Sequence, residues 1–448
     1  MATTAQGSCR ARPELSVAPM MAWTTRHQRF MARILAPTMT LWTEMVVDQT
    51  VVHCGDKLWQ HFGHDDTEHP LVLQLGGNSV EAMRQSAELA NEWGFDEINL
   101  NVGCPSKTVA QKNAFGASLM LRPELVREII TTMQSVSSVP VTVKCRLGVD
   151  DQDDYAFLYN FVASIPECDH FIVHARKALL NGINTRQNRA VPPLIYERVY
   201  KLCEDFPDKK FSINGGIASV KDVQAVLEAE PRLHGVMLGR AAYRNPCLLT
   251  NLEYHILGNE TVASLTRREV FDRYAEYAIE MSKRGYRTRD IVAPLGNLLA
   301  EQQFSKSFRK VLMCSDKPKG ERNPPMEDLL QEARACLSDE ILDKPIVDVS
   351  LDRHIVAGRT PLAGLGECGE ADSDDASSVS SSPVRDVAAS PSASTTGSTH
   401  SDNDDVNNKN NTNTENDVAH LGGPRADPGS DVSCPQSEVE RRAQVSAS

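Results

Sequence analysis

The sequence predicts an α/β fold: a (β/α)8 TIM barrel, followed by a small all-helical domain and a disordered acidic C-terminal tail. Three observations carry this. Between Leu15 and Arg240, eight short apolar runs rich in β-branched residues alternate with stretches of helical character. After Pro246 the alternation stops and only helical periodicity remains. From about Gly364 the chain is dominated by Ser, Asn, Asp, Thr and Gly, with too few large apolar side chains to offset chain entropy. The expected boundaries are a flexible N-terminus at 1–14, the barrel at 15–257, the helical domain at 258–345, a linker at 346–363 and the tail at 364–448.

The eight runs fall at 15–20, 39–46, 71–76, 97–102, 141–146, 170–174, 210–214 and 235–239. Their continuous apolar character suits strands buried on both faces, as in a parallel sheet. The stretches between them carry helix signals. Ser79 is a candidate N-cap before Val80, Met83, Ala87, Ala90 and Trp93, and Gly94 is a stop. Pro123 suits a first helical position before Leu125, Ile129 and Ile130. Ser219 and Asp222 resemble a capping box ahead of Val223, Val226 and Leu227. Eight such units in one stretch suit a barrel; a doubly wound open sheet is the alternative and needs a reversal of strand order. Beyond the barrel, 266–284 reads as a helix with Val270, Tyr274, Tyr277, Ala278 and Met281 on one face. Shorter helical pieces are expected at 294–303 and 305–313, and one more helix at 326–342.

The 448 residues, 41% of them hydrophobic, can bury a sizeable core. The net charge of −13 disfavours a nucleic-acid partner until it is divided. Residues 356–448 hold 15 acids against 6 Lys and Arg, which leaves −4 for the first 355. Nucleic-acid binding therefore needs a local basic patch. The eleven cysteines are scattered, with no C-x-x-C pair, so neither a disulfide framework nor a metal site is expected. No apolar run approaches the ~18 residues of a membrane span. The expected location is cytoplasmic, with Arg10 and Arg12 in an acid-poor start as the feature favouring an organellar presequence instead.

A barrel carries its active site at the C-terminal ends of its strands. Here those ends read Pro19-Met20-Met21, Glu44, Gln74, Asn101 with Cys104, Lys144, His174, Asn214-Gly215-Gly216 and Gly239-Arg240. Each has a plain structural reading: a turn for the glycines, a solvated strand end for Lys144, a satisfied core histidine for His174. Their convergence on one rim favours a site. Strands seven and eight often hold a phosphate. Gly215, Gly216 and Gly239 let backbone approach an anion, and Arg240 can pair with it.

Five runs carry a more specific likeness. Val17-Ala18-Pro19-Met20-Met21, Thr43-Glu44-Met45-Val46, Asn99-Leu100-Asn101-Val102-Gly103-Cys104-Pro105-Ser106, His174-Ala175-Arg176 and Asn214-Gly215-Gly216 resemble the tRNA-dihydrouridine synthases. Asn188-Arg189 followed by Pro192-Pro193-Leu194 resembles their A-type subfamily. The likeness spans about Leu15 to Leu312, and the segment around Cys104 is its most specific part. It implies an oxidoreductase with FMN as cofactor, NADPH as reductant and tRNA as substrate; a monomer is expected, though the sequence itself does not fix the oligomeric state. Pro19, Met20, Met21 and Gln74 would line the flavin ring, with Lys144 and His174 against it. Asn214, Gly215, Gly216, Gly239 and Arg240 would hold the phosphate. The reduced flavin would pass a hydride to carbon 6 of a uracil, and Cys104 would protonate carbon 5. A thiol with an ordinary pKa near ~8.5 is mostly protonated at neutral pH and can serve as that acid. Ala22 and Thr25 stand where the A-type pattern usually has acids.

Asn101, Arg186, Arg189, Lys306, Arg309 and Lys310 are the expected RNA contacts. The last three come from Ser305-Lys306-Ser307-Phe308-Arg309-Lys310, read either as a phosphate-contacting patch or as a solvated helix face. The family usually has more Arg, and Trp, at this point. The A-type likeness implies a uridine in the D-loop near position ~20, where a loop base costs least to flip. The alternatives are a flavin-dependent dehydrogenase of a free pyrimidine, which does not need the basic helical segment, and a non-catalytic RNA-binding protein.

Overall fold

A computed structural model describes residues 12–112, 114–313 and 324–351. The expected tail, most of the N-terminal segment and the linker beyond 351 lie outside the described residues. Eight parallel strands form one sheet: β1 Glu14–Val17, β2 Leu41–Val47, β3 Leu71–Gly76, β4 Glu97–Val102, β5 Val141–Arg146, β6 His170–His174, β7 Lys210–Asn214 and β8 Gly235–Leu238. Their order is β1-β8-β7-β6-β5-β4-β3-β2, so each strand lies beside its neighbours in sequence. The Val17 amide donates to Thr40 O at 3.0 Å and the Thr40 amide to Leu15 O at 2.9 Å, which brings the two ends of the sheet together. A doubly wound sheet reverses its strand order, and this one does not.

The period of two along each strand sorts the side chains. Leu15 and Val17, Leu71, Leu73 and Leu75, Ile98 and Leu100, Val141 and Val143, Phe171 and Val173 belong to the large core between sheet and helices. The alternate positions face the barrel interior. There Ala18, Trp42, Val72, Ile172 and Met237 form a small apolar plug. Polar inward residues lie above and below it. Gln74, Asn101, Lys144, His174 and Asn214 all share that inward parity at the C-terminal end.

Helix signals translate directly. The Ser79 side chain accepts from the Ala82 amide at the start of Val80–Trp93, which ends on Gly94 at φ 69°. Ser219 and Asp222 form a reciprocal capping box. Thr266 and Glu269 form another before Arg267–Lys283. That helix lies against Arg26–Leu35 of the barrel: Phe30 and Tyr277 stack at 3.9 Å between ring centroids, and His27 Nδ1 lies 2.8 Å from the Tyr277 hydroxyl. Barrel and helical segment thus share one core.

Four expectations need correction. The first strand ends at Val17 rather than at 20, because Pro19 has no amide to continue the ladder. The piece at 294–303 is only a single turn, Leu295–Asn297, and left-handed backbone at Glu301 and Phe304 (both φ 64°) closes off helix before Ser305–Met313. The helix at 326–342 is two, Met326–Ala335 and Asp339–Asp343, because Ser338 is extended (φ −80°, ψ 151°) and sits at an N-cap position. The start of the expected linker is packed: Ile346 and Val347 are buried, and the Ile346 amide donates to Leu265 O.

Candidate active site

The C-terminal ends of the strands open into a cleft of about 1760 Å³. Its walls gather Pro19, Met20, Met21, Gln74, Asn101, Cys104, Lys144, His174, Arg189, Asn214, Gly215, Gly216, Gly239 and Arg240. Arg186, Lys306, Arg309 and Lys310 are not among the wall residues. Lys306 and Lys310 are exposed on Ser305–Met313, where Phe308 is turned into the core, and Arg309 Nε donates to Gly296 O at 2.7 Å.

In the loop after β4, the polar backbone atoms of Gly103 and Cys104 are all hydrogen-bonded. The Gly103 and Cys104 amides both donate to Asn101 Oδ1, at 3.1 and 3.0 Å. Gly103 O accepts from Arg146 Nε at 3.2 Å, and Cys104 O from the Ala117 amide at 2.9 Å. Gly116 makes that last contact possible: at φ +67°, a Cβ there would come within 2.6 Å of Cys104 O. Burial raises the pKa of the Cys104 thiol, so it keeps its proton across the neutral range.

Asn101 begins a series of hydrogen bonds that crosses the barrel interior. Its Nδ2 donates to Gln74 Oε1 (2.9 Å), Gln74 Nε2 to Asn99 Oδ1 (3.0 Å), Asn99 Nδ2 to Thr142 Oγ1 (2.9 Å), and Thr142 Oγ1 to Glu97 Oε1 (2.6 Å). Asn101, expected as an RNA contact, is thus bonded through both ends of its amide. From the adjacent strand β5, Lys144 Nζ donates to Asn214 Oδ1 at 3.2 Å, and Asn214 Nδ2 to Met237 O at 2.8 Å. Burial, with Arg146 close by, pulls the Lys144 ammonium down to about 8. Burial and the neighbouring Arg146 and Lys144 hold His174 well below its ordinary value, so its imidazole is neutral. Gly215 and Gly216 have φ of +113° and +73°, and a Cβ on Gly215 would lie 2.6 Å from the His174 ring. On the near wall the Ala22 amide, at a left-handed φ of 62°, donates to Glu44 Oε1 at 2.6 Å and so anchors the Pro19–Met21 loop.

The charge of the cleft is the reverse of the chain's. Among the described residues, nine Lys and Arg line it against two acids, Glu301 and Asp348. This is the local basic patch that a chain of net −13 needs, and it lies on the rim itself. Sequence reading missed Arg146, Lys221, Arg244, Arg267 and Lys344 on this wall. Two of them left a signal: Arg146 shares strand parity with Lys144, and Arg244 lies one helical turn from Arg240.

Fold and rim together define an eight-stranded barrel with a cationic cleft at the C-terminal ends of its strands. The chain belongs to the dihydrouridine synthase (Dus) family of flavin-dependent oxidoreductases, whose model matches residues 16–336. It is 41% identical over 306 residues to a tRNA-dihydrouridine(20/20a) synthase of Vibrio cholerae, covering 67% of this chain and 90% of that one. A protein of the same name from Shewanella oneidensis is 42% identical over 300 residues, covering 66% and 87%. One from Escherichia coli (strain K12) is 48% identical over 248 residues, covering 54% and 70%. Among the described residues, no helix is long and apolar enough to cross a membrane.

Proposed function

We propose that this chain reduces uridine to 5,6-dihydrouridine in tRNA, using FMN and NADPH, at position 20 or 20a of the D-loop. The observation that carries the reading is a half-buried thiol on a hydrogen-bonded loop in the wall of a cationic cleft, where desolvation favours its protonated form. The cleft fits a phosphorylated flavin on two counts. Side chains at Gly215 and Gly216 would fill the space beside His174 and Leu194, and the excess of cations favours an anion. Asn214, Gly215, Gly216, Gly239 and Arg240 are the proposed phosphate holders, and Pro19, Met20, Met21 and Gln74 the ring contacts.

When bound, the flavin supplies the hydride that reaches carbon 6 of the uracil. Cys104 supplies the proton to carbon 5, because burial keeps its thiol protonated and its loop fixes the sulfur. Lys144 provides positive charge below about pH 8, preorganised by Asn214. His174, held neutral, can hydrogen-bond without adding charge. The segment 258–345 is the proposed tRNA-binding domain, acting with the cations of the cleft wall.

Purified protein given NADPH and unmodified tRNA should convert a D-loop uridine, read as a 2 Da mass gain in the nuclease fragment that holds position ~20, the base that extrudes from its loop at least cost. Loss of NADPH absorbance with free uridine but not with tRNA would instead support a dehydrogenase of a free pyrimidine.

A further inference from the structure

Arg146 is the last residue of β5, two residues beyond Lys144 on the same face of the strand. It points into the barrel rim, is 4% exposed, and burial lowers its pKa to about 10. It is bonded to backbone carbonyls on two separate loops. Nε donates to Gly103 O at 3.2 Å, in the loop that carries Cys104. Nη1 donates to Lys177 O at 3.3 Å and Asn188 O at 3.0 Å, in the loop between β6 and the helix Tyr196–Asp205. That second loop is itself stiff: Asn188 is fully buried and exchanges two hydrogen bonds with Leu179, both of 2.8 Å. Arg189, on the cleft wall, is the next residue.

We propose that Arg146 is a positioning residue: its guanidinium ties the Cys104 loop to the Arg189 loop and so fixes the thiol in the cleft that Lys144 and His174 also line. This rests on the proposed reaction and adds to it the part that places the acid. A planar fork with donors in fixed directions can bridge carbonyls on two loops, whereas an ammonium on a flexible stem cannot hold both in one geometry. Charge alone is therefore not sufficient. A displacement of the acid by ~1 Å is enough to cost on the order of 10²-fold in rate.

The test uses Arg146→Lys and Arg146→Met in the flavin-loaded protein. Three quantities are measured: flavin reduction by NADPH, oxidation of the reduced enzyme by tRNA, and alkylation of Cys104 by iodoacetamide, followed by mass spectrometry of its peptide. The expected result in both variants is oxidation by tRNA slowed roughly 10- to 100-fold, with flavin reduction within about twofold of the parent. Cys104 alkylation should rise severalfold as its loop is released, and Lys should not rescue it. Parental tRNA oxidation in folded Arg146→Lys would overturn the proposal. So would a parallel fall of both half-reactions, which marks a general structural role. Should Arg146→Met fail to fold, Arg146→Lys carries the test alone. If the parent protein does not reduce tRNA uridine at all, the functional reading fails, and alkylation still decides the role of Arg146: an unchanged rate overturns it.

Discussion

The two ends of the barrel interior are both polar, and they differ in how their groups are satisfied. At the floor, Glu14 pairs with His234 at 3.2 Å, His170 Nε2 lies 2.8 Å from Ser212 Oγ, and Glu97 accepts from Thr142. Acids and bases there answer one another. At the rim, Lys144, Arg189 and Arg240 gather with His174 on a wall that holds two acids among the described residues. The charge there is unbalanced, as it is in a site that an anionic ligand completes. On the proposed function the floor serves stability and the rim chemistry, a division that TIM barrels show generally. Substitutions at the two ends should separate the two properties.

The largest separation is expected from Cys104→Ala. Uridine reduction should fall by about 10²- to 10⁴-fold, as for loss of a general acid, with NADPH oxidation and melting temperature retained. A variant with parental product formation would break the assignment. Next, Arg240→Ala should weaken flavin retention roughly 10- to 100-fold, the equivalent of a charge-assisted hydrogen bond of about 1.5–3 kcal/mol, measured by titrating apo-protein with FMN. Unchanged affinity would move the phosphate elsewhere on the rim.

A third experiment sets the cleft against the helical patch. Two variants are compared: Lys344→Ala on the wall, and Lys306→Ala with Lys310→Ala on Ser305–Met313. Each should reduce the slope of log tRNA affinity against log salt by about 0.7–0.9 for every phosphate that is no longer neutralised. Arg309 is left in place because its Nε holds Gly296 O. A slope that changes only for Lys344 would confine RNA binding to the cleft.

The floor has a pH signature. Burial raises the Glu97 carboxyl from its ordinary value of 4.5 to about 8, with Glu14 adding to the rise and Lys210 opposing it. The group is protonated in the folded protein and ionised in the unfolded chain between those values, so folding stability falls as pH rises through that window. His170, pulled down to about 4 by burial, acts on the acid side: its contribution is complete above its ordinary value and is lost as pH falls from 6.5 toward about 4. Glu97→Gln should therefore shrink the drop in melting temperature between pH 6.5 and 8 by at least ~2 °C, without changing the rate of uridine reduction. An undiminished drop would assign it to other groups. The smallest effect concerns metal. Among the described residues, Glu14, His170 and His234 have ligand atoms within 4.8 Å of one another. Because they already satisfy one another, zinc and chelator should each leave the melting temperature unchanged within about 1 °C.

Much of this was legible in the sequence, for identifiable reasons. The runs at 71–76, 97–102, 141–146, 170–174 and 210–214 coincide with β3 to β7, because strands buried on both faces read as continuous apolar runs and end where polar rim residues begin. Ser79, Gly94, Pro123 and Ser219 were readable because capping is local chemistry. The charge of the cleft was not readable, since it is assembled from residues as distant as Arg146 and Lys344. Nor was the second role of Asn101: its partners Gln74 and Cys104 come from a neighbouring strand and from its own loop. The breaks at 298–304 and 336–338 depend on left-handed or extended backbone at Glu301, Phe304 and Ser338, residue types that do not require it.

The series from the Cys104 loop to Glu97 also has a sense. Each amide gives through nitrogen toward the floor and takes through oxygen from above. Turning over Gln74 alone would set its nitrogen against the nitrogen of Asn101 and its oxygen against the oxygen of Asn99. The members can reverse only together, like a row of compass needles locked by their neighbours. The row is pinned at its upper end, because the Gly103 and Cys104 amides can only donate to Asn101 Oδ1. Four residues of strand, or ~13 Å, separate Glu97 from Asn101. The orientation of the buried amides is thus set from the loop that carries Cys104 and is passed down the barrel as far as the hydroxyl of Thr142.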